Sequence, residues 1–285
     1  MTANTPTSGG TGEGSNGAIV QVSEYLEAGP VNRVALDLAA AIQRFGGNSK
    51  IVSGGGLMVA EAQRANVEHE TISISSVNPI GNPAGKIAGK LTEWDAQLVH
   101  SHGEDAAGLV IKAVGKHRVP HVVSLYDLPV RRNGKPTPGL QTALKGDRVL
   151  LASPFLQNLL SEAGYLHDVN ASVVPPGLAV NALHPSVVTA ARLTRMVRDM
   201  EITAQSPVII FPAALQDSAG HDAVIEALKQ HLDKTWVCLF IGVGQAERRY
   251  HYRLSQKLEA EGLERRIKIY EGTEDPATLY KLTDI

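Results

Sequence analysis

Short apolar runs alternate with segments of helical periodicity from Ala18 onward, and this alternation limits the fold more than any other feature. AIVQV (Ala18 to Val22) and WVCLFI (Trp236 to Ile241) are two such runs. The segments between them place apolar residues three or four positions apart, as amphipathic helices do. Strands that alternate with helices form right-handed βαβ units around a mainly parallel sheet. The sequence therefore predicts an α/β protein.

Further strands and helix signals follow the same scheme. Strands are predicted over Lys50–Ser53, Leu98–Ser101, His121–Leu125, Arg148–Ala152, Ser172–Pro175, Val208–Pro212 and Ile267–Tyr270. The first helix is predicted to bury a face made of Val34, Leu38, Ile42 and Phe45. Ser153-Pro154 has the residue types of a helix start, because serine is a good N-cap and proline a good first helical residue.

A change of pattern divides the chain. PPGLAVNALHP (Pro175 to Pro185) has no periodicity, a polar helical stretch follows it, and the strand–helix alternation restarts at Val208. We predict a disordered tail over residues 1–17, a Rossmann-like domain over 18–180, a linker with a helix over 181–206, and a second Rossmann-like domain over 207–285. Because Asp284-Ile285 looks like the start of a strand, we expect this second domain to be incomplete.

The composition excludes several classes of protein. The net charge is −2 and only 5% of the residues are aromatic, which argues against nucleic-acid binding. Cys238 is the one cysteine, so no internal disulfide forms and a reducing compartment is indicated. No apolar run is long enough to cross a membrane, and the first 17 residues lack the apolar core of a signal peptide. We expect a cytoplasmic protein, and peripheral membrane contact stays open.

The order of several segments resembles the glycosyltransferases of family 4, which have the GT-B fold. The resemblance extends over nearly the whole chain after residue 17. It rests on LEAGPVNRVALDLAAAI (Leu26 to Ile42), LVHSHGEDAAGLV (Leu98 to Val110), VPHVVSLYD (Val119 to Asp127), VVPPGLAVNALHP (Val173 to Pro185) and VIIFPAALQDSAGHDAVIEAL (Val208 to Leu228).

The resemblance implies two Rossmann-like halves with a nucleoside diphosphate sugar in the cleft between them. It further implies transfer, with retention of configuration, to a glycan, lipid or small-molecule acceptor, and no metal cofactor. The residues that it places in the cleft are His102, Tyr126 and Asp127. Those that it places at the donor are Gly29, Ala214, Ala219, Gly220 and Gly242.

The sequence departs from the family pattern at the donor site. Ala214 and Ala219 stand where the family has an arginine and a lysine, and Asp217 adds a negative charge. Pro30 replaces a glycine and offers no N–H to a phosphate. Tyr126 stands where the family has a histidine, and the family's paired glutamates would lie beyond Ile285. Amides at a helix N-terminus remain available for a phosphate.

Three functions therefore stay open at this point. The first is sugar transfer, and the second is a non-catalytic relative that binds a ligand or has no function. The third, a nicotinamide-dependent oxidoreductase, is weaker because Gly242 and Gly244 match two glycines of its fingerprint but Glu247 takes the third place. His100 and His102 alternate on one strand and could share a face, but two histidines alone do not make a zinc site.

We predict that the chain as given has little transfer activity and binds nucleotide sugars weakly. Hydrogen bonds to charged groups contribute about 1.5–3 kcal/mol each. The double substitution Ala214→Arg/Ala219→Lys should therefore tighten nucleoside diphosphate binding by more than about tenfold. Titration calorimetry with uridine, guanosine and adenosine diphosphates measures this. Tight binding by the unmodified chain, or no gain in the variant, would show that the donor loop is misplaced.

Overall fold

A computed structural model describes residues 17–27, 29–74, 81–115, 119–127, 135–202, 206–242, 248–270, 272–273 and 275–285. The chain divides into two compact units. The first consists of Met1–Leu26 and Val34–Pro176, and the second of Glu27–Arg33 and Gly177–Ile285. Each unit contains its own sheet, and every described strand pair is parallel.

The described part of the first unit contains a seven-stranded sheet in the order β3-β2-β1-β4-β5-β6-β7. Its strands are β1 (Ala18–Ser23), β2 (Ser49–Ser53), β3 (Glu68–Thr71), β4 (Ala96–His102), β5 (His121–Leu125), β6 (Arg148–Leu151) and β7 (Ala171–Val173). The strand order reverses between β1 and β4. Ligands of open α/β sheets bind outside the carboxyl ends of the strands at such a reversal.

Helices connect these strands. They are α1 (Pro30–Arg44), α2 (Val59–Arg64), α3 (Pro83–Glu93), α4 (Glu104–Val114), α5 (Leu140–Ala143) and α6 (Pro154–Glu162). The predicted start of α6 is confirmed, because the Ser153 Oγ accepts a hydrogen bond of 3.2 Å from the Leu156 amide. The cap satisfies one of the amides that the first turn of a helix leaves unpaired.

The predicted buried face of α1 is wrong by about one residue. Ala35, Leu36 and Ala39 are the buried residues of this helix, and Leu36 and Ala39 pack with Ile51 of β2. Phe45 follows the helix and is 84% exposed. The prediction was based on the large apolar residues, whereas two of the three buried residues are small alanines.

β3 has no counterpart among the predicted strands. Its sequence, EHET, lacks apolar residues, and it lies at the edge of the sheet beside β2. Glu68 is held by an ion pair with Lys50 and by a 3.1 Å hydrogen bond from the Trp94 indole. Charged residues are common on edge strands, because they discourage pairing with another chain.

The described part of the second unit contains a three-stranded sheet in the order β10-β9-β8. Its elements are α7 (Val180–Leu183), α8 (Ala190–Asp199), β8 (Val208–Pro212), α9 (His221–Lys229), β9 (Val237–Ile241), α10 (Arg248–Ala260), β10 (Ile267–Tyr270) and α11 (Pro276–Leu282). Two parallel sheets with connecting helices confirm the predicted α/β class.

β9 is buried along its whole length, as its apolar run predicts. Cys238 and Phe240 pack in one hydrophobic group, while Leu239 and Ile241 pack in another on the opposite face. Alternate residues of a strand point to opposite faces, so this sheet is covered on both sides. Burial also raises the pKa of the Cys238 thiol to about 12, which fits a core residue.

Asp284 and Ile285 extend the hydrogen bonding of the second sheet beside β8. The Asp284 amide donates to the Val208 carbonyl over 2.9 Å. The Ile210 amide donates to the Ile285 carbonyl, also over 2.9 Å. The Ile285 amide also donates to the Val208 carbonyl, over 3.2 Å, so Ile285 bonds to β8 in a parallel manner. Neither residue belongs to a strand of the described sheet, so the predicted start of a strand stays a prediction.

An ion pair joins α8 to α11 in the second unit. The Arg192 Nε donates to Asp275 Oδ2 over 2.9 Å, and a second guanidinium nitrogen reaches Oδ1. Asp275 also caps α11 by accepting from the Thr278 amide. These donors hold the pKa of the Asp275 carboxyl well below its usual range.

Replacing Phe240 by alanine should destabilise the second unit by about 3–5 kcal/mol, because the removed ring leaves a cavity in its core. Phe45→Ala makes the same chemical change at an exposed position and should alter stability by less than about 0.5 kcal/mol. Denaturant unfolding followed by circular dichroism measures both. Equal losses in the two variants would contradict the burial described for them.

Candidate functional site

Three polar side chains meet at the carboxyl ends of β1, β4 and β5. His102 Nε2 lies 2.9 Å from Gln21 Oε1, and His102 Nδ1 lies 2.7 Å from the Tyr126 hydroxyl. Gln21 and His102 are buried, while Tyr126 is half-buried. The strand order brings them together, since β1 and β4 are neighbours and β4 pairs with β5. The predicted cleft residues His102 and Tyr126 thus contact each other.

The same hydrogen bonds continue to a second histidine. The Ser124 hydroxyl bonds to Tyr126 and also lies 2.8 Å from His100 Nε2. One arrangement of protons satisfies every contact: His100 donates to Ser124, Ser124 to Tyr126, Tyr126 to His102, and His102 to Gln21. Both histidines are then neutral and carry their proton on Nε2. We call these five residues the buried relay.

Burial keeps the buried relay uncharged. It lowers the pKa of His100 to about 4 and that of His102 well below its usual value. The prediction that the two histidines share a face is correct, because their ring centroids are 4.2 Å apart. Burial raises the pKa of Tyr126, although the hydrogen bond from Ser124 opposes this shift. Near neutral pH the relay therefore holds its groups in place without carrying a net charge.

Gln21 and Ser124 are members of the site that sequence reasoning missed. Each is a polar residue in the interior of a mostly apolar strand, AIVQVS and HVVSL, and that is the signal that could have identified them. The Gln21 amide nitrogen is buried and has no hydrogen-bond partner among the described residues. Such a group is unusual in a folded protein, because burying an unpaired donor is costly.

Carboxylates surround this edge of the sheet. Glu24 follows β1, while Glu104 and Asp105 open α4 directly after β4. Burial raises the pKa of Glu24 and of Glu104, and the charge of Asp105 adds to both shifts. The Thr137 hydroxyl donates to Glu104 over 2.6 Å. Asp127, the third predicted cleft residue, is exposed next to Tyr126. The edge thus offers several hydrogen-bond acceptors to a ligand.

Neither a metal centre nor a membrane span appears in the described part of the chain. Its histidine, cysteine, aspartate and glutamate side chains form no group of three or more that could ligate a metal ion. Each of its helices is too short or too polar to cross a bilayer.

The predicted donor residues Ala214, Ala219 and Gly220 belong to one loop of the second unit, between β8 and α9. Gly220 ends the loop with φ of 93°, a left-handed conformation that favours glycine. It also precedes the first turn of α9, which has no side-chain cap. Ala214 and Ala219 are both half-buried. We call residues 213–220 the donor loop, after the role that the resemblance to the family implies for them.

A cation reaches the donor loop from another helix, which sequence reasoning did not anticipate. Arg253 of α10 forms an ion pair with Asp217 of the loop. The two residues are 36 positions apart in the chain, so no local pattern indicates their contact. Arg248 and Arg249, on the first turn of α10, are exposed.

The other predicted donor residues lie elsewhere. Gly29 precedes α1, and its carbonyl accepts a 2.9 Å hydrogen bond from the Arg33 amide. Gly242 follows β9, and its amide donates to the Tyr270 carbonyl over 2.7 Å. Gly244 and Glu247, which bear on the oxidoreductase hypothesis, are outside the described residues.

Comparison with protein families gives one match. The sequence model described as Glycosyltransferase Family 4 matches residues 30–181. A search of curated protein sequences gives no significant match.

Solved structures share the fold at low sequence identity. A glycosyltransferase from Rickettsia africae is 21% identical, with a TM-score of 0.77, and the match covers 95% of this chain and 72% of that one. The Anabaena protein HepE in complex with UDP-glucose is 17% identical, with a TM-score of 0.79 and coverages of 94% and 72%. The sucrose-phosphate synthase of Thermosynechococcus elongatus is 11% identical, with a TM-score of 0.72 and coverages of 94% and 74%. These likenesses confirm the predicted GT-B type of fold.

Stability should fall as the pH drops from about 6.5 to about 4. Burial lowers the pKa of His100, His102 and His121, to about 4 for the first and third. The unfolded chain then binds protons at pH values where the folded chain does not, so acid favours unfolding. At about 1.4 kcal/mol per pKa unit, His100 and His121 should each lower the free energy of unfolding by up to about 3 kcal/mol over this pH range.

Urea unfolding between pH 4 and pH 8 tests this expectation. His100→Gln should flatten the dependence of the unfolding free energy on pH, even if it also lowers stability at pH 7. His167→Gln removes an exposed histidine instead and should keep the wild-type slope. A slope that is unchanged in His100→Gln would contradict the assignment.

Proposed function

Because the chain belongs to glycosyltransferase family 4, whose sequence model matches more than half of its 285 residues, we propose that it transfers a sugar from a nucleoside diphosphate sugar to a hydroxyl-bearing acceptor. The acceptor is a glycan, a lipid or a small molecule. Retention of configuration is part of the proposal through the family alone. On the same ground we propose that residues 18–180 bind the acceptor, that residues 207–285 bind the donor, and that the protein is cytoplasmic.

The proposed reaction exchanges one bond at the anomeric carbon of the donor sugar. The bond from this carbon to the diphosphate oxygen breaks, and a bond to the acceptor oxygen forms. The departing nucleoside diphosphate gains negative charge, and the hydroxyl proton of the acceptor passes to an oxygen of that diphosphate or to water. Groups that stabilise this charge in the transition state accelerate the reaction. No metal ion is part of the proposal.

The donor loop is the proposed diphosphate site. Its last residue, Gly220, leads into α9, and the first amides of a helix point at a bound anion. The left-handed conformation of Gly220 turns the chain from the loop into the helix without a side chain in the way. HepE, which shares the fold, was solved with UDP-glucose and also with UDP and glucose.

Tyr126 is the proposed contact of the acceptor. Its hydroxyl accepts from Ser124 and donates to His102 in the buried relay, so the remaining lone pair of this half-buried oxygen can accept a hydrogen bond. A substrate hydroxyl is a suitable donor to it. Gln21 and His102 hold the Tyr126 oxygen in position, and this neutral contact is the observation that carries the acceptor assignment. Glu24 and Glu104 can accept further hydroxyl hydrogen bonds of a sugar-like acceptor.

A binding protein without turnover is the second candidate. It is favoured by the donor loop, in which Ala214 and Ala219 take the places of two cations of the family and Asp217 adds a negative charge. The two candidates share the donor ligand and differ only in transfer. Measuring binding and transfer on the same protein therefore separates them.

Replacing Tyr126 by phenylalanine should lower the rate of sugar transfer about 10- to 100-fold and leave donor binding unchanged, since one positioning hydrogen bond to the acceptor is lost. Release of nucleoside diphosphate from UDP-, GDP- and ADP-glucose, with a panel of sugar acceptors, measures the rate. Calorimetry with the same donors measures binding.

Tyr165→Phe is the matched control, because this tyrosine packs against a hydrophobic group of the first unit and should tolerate the change. Donor binding with no transfer to any acceptor would favour the binding protein. Failure of every nucleotide sugar to bind would contradict both candidates.

A further inference from the structure

The donor loop obtains its positive charge from outside its own sequence. Residues 213–220 contain no arginine or lysine. The guanidinium of Arg253 nevertheless contacts Asp217 in the middle of this loop. A diphosphate needs a cation as well as helix amides, because charge-assisted hydrogen bonds are about twice as strong as neutral ones. The guanidinium of Arg253 therefore lies where it could contact a diphosphate bound at this loop.

Ring contacts fix Arg253 relative to the start of α9. Its guanidinium carbon lies 5.1 Å from the ring centroid of Tyr250, a cation–π distance. The Tyr250 hydroxyl lies 3.2 Å from Nδ1 of His221, which is the first residue of α9. His221 is itself enclosed by the rings of Phe211 and Phe240. The guanidinium thus stands on a packed aromatic group that includes the first residue of α9.

His221 adds an observation at the same place. Its Nε2 is buried and has no hydrogen-bond partner among the described residues. Burial lowers the pKa of His221, so the ring is neutral and its Nδ1 is already engaged by Tyr250. Buried polar atoms without a partner are uncommon in folded proteins, and a bound ligand is one way to satisfy them.

The ion pair with Asp217 is easily exchanged. The side chains of Arg253 and Asp217 are 57% and 66% exposed, and exposed ion pairs contribute little to stability. A diphosphate offers more negative charge and several oxygens to the planar guanidinium, which binds phosphate in a bidentate manner. A nucleoside diphosphate should therefore displace the carboxylate of Asp217.

Neighbouring cations of α10 are less suited to this role. Lys257, one turn further along the helix, is engaged by Asp222 and Glu226 on α9. Arg249 is exposed on the first turn of α10. Of these three residues, Arg253 is the one whose guanidinium contacts the donor loop.

We propose that Arg253 binds the diphosphate of the donor, in place of the cations that Ala214 and Ala219 do not supply. Asp217 holds the guanidinium while the site is empty and competes with the ligand for it. This inference rests on the proposed function, and it names the residue that supplies the charge. It also predicts opposite effects of substitutions at the two partners.

Titration calorimetry with uridine, guanosine and adenosine diphosphates tests the proposal on the full chain. Arg253→Gln should weaken the tightest of the three complexes at least tenfold. Asp217→Asn should tighten it about three- to tenfold, because the competing charge is gone. In the double variant the gain from Asp217→Asn should disappear, since no guanidinium remains to be released.

Arg249→Gln is the matched control on the same helix and should leave binding unchanged. Arg253→Lys keeps the charge without the bidentate contact and should give an intermediate loss, which also separates lost binding from lost folding. Binding that is unaffected by Arg253→Gln and Asp217→Asn would overturn the role of Arg253 and leave the proposed function intact. No binding of any diphosphate to the wild type and to Asp217→Asn would overturn both.

Discussion

Parallel pairing of the strands is the constraint on which the other features of this protein depend. A parallel sheet needs a crossover between consecutive strands, and its helices cover both faces. β9 shows the consequence, because its alternate residues enter two separate hydrophobic groups. Parallel pairing also gathers the carboxyl ends of all strands of a sheet at one edge. The loops at that edge are free to carry function, since the core does not depend on them.

Burial on both faces decides how polar residues in the strands behave. Gln21, His100 and Ser124 are buried, so their polar groups need partners inside the protein. His100 bonds to Ser124, and Gln21 bonds to His102. Ser124 and His102 both bond to the half-buried Tyr126. Burial disfavours the charged form of an imidazole, so it lowers the pKa of both His100 and His102. A rigid, neutral hydroxyl at the sheet edge is the result.

In the second unit, the charge next to the donor loop comes from a different part of the chain. Residues 213–220 contain no lysine or arginine, yet the ion pair between Asp217 and Arg253 places a guanidinium on this loop. A residue on a neighbouring helix can do this because α9 and α10 pack through His221 and Tyr250. The charge next to this loop is thus set by the packing of the helices and not by the loop sequence alone.

The sequence by itself determined the α/β class, the strand at β9, the start of α6 at Ser153 and the resemblance to family 4. Each of these depends on residues close together in the chain, whose periodicity or cap chemistry is visible locally. Tertiary structure alone decided which face of α1 is buried and that the polar segment β3 joins the sheet at its edge. It also decided the contacts Gln21–His102 and Asp217–Arg253, which span 81 and 36 positions. Such contacts follow from strand order and helix packing, and these arise from the burial of the whole chain, which no local pattern records.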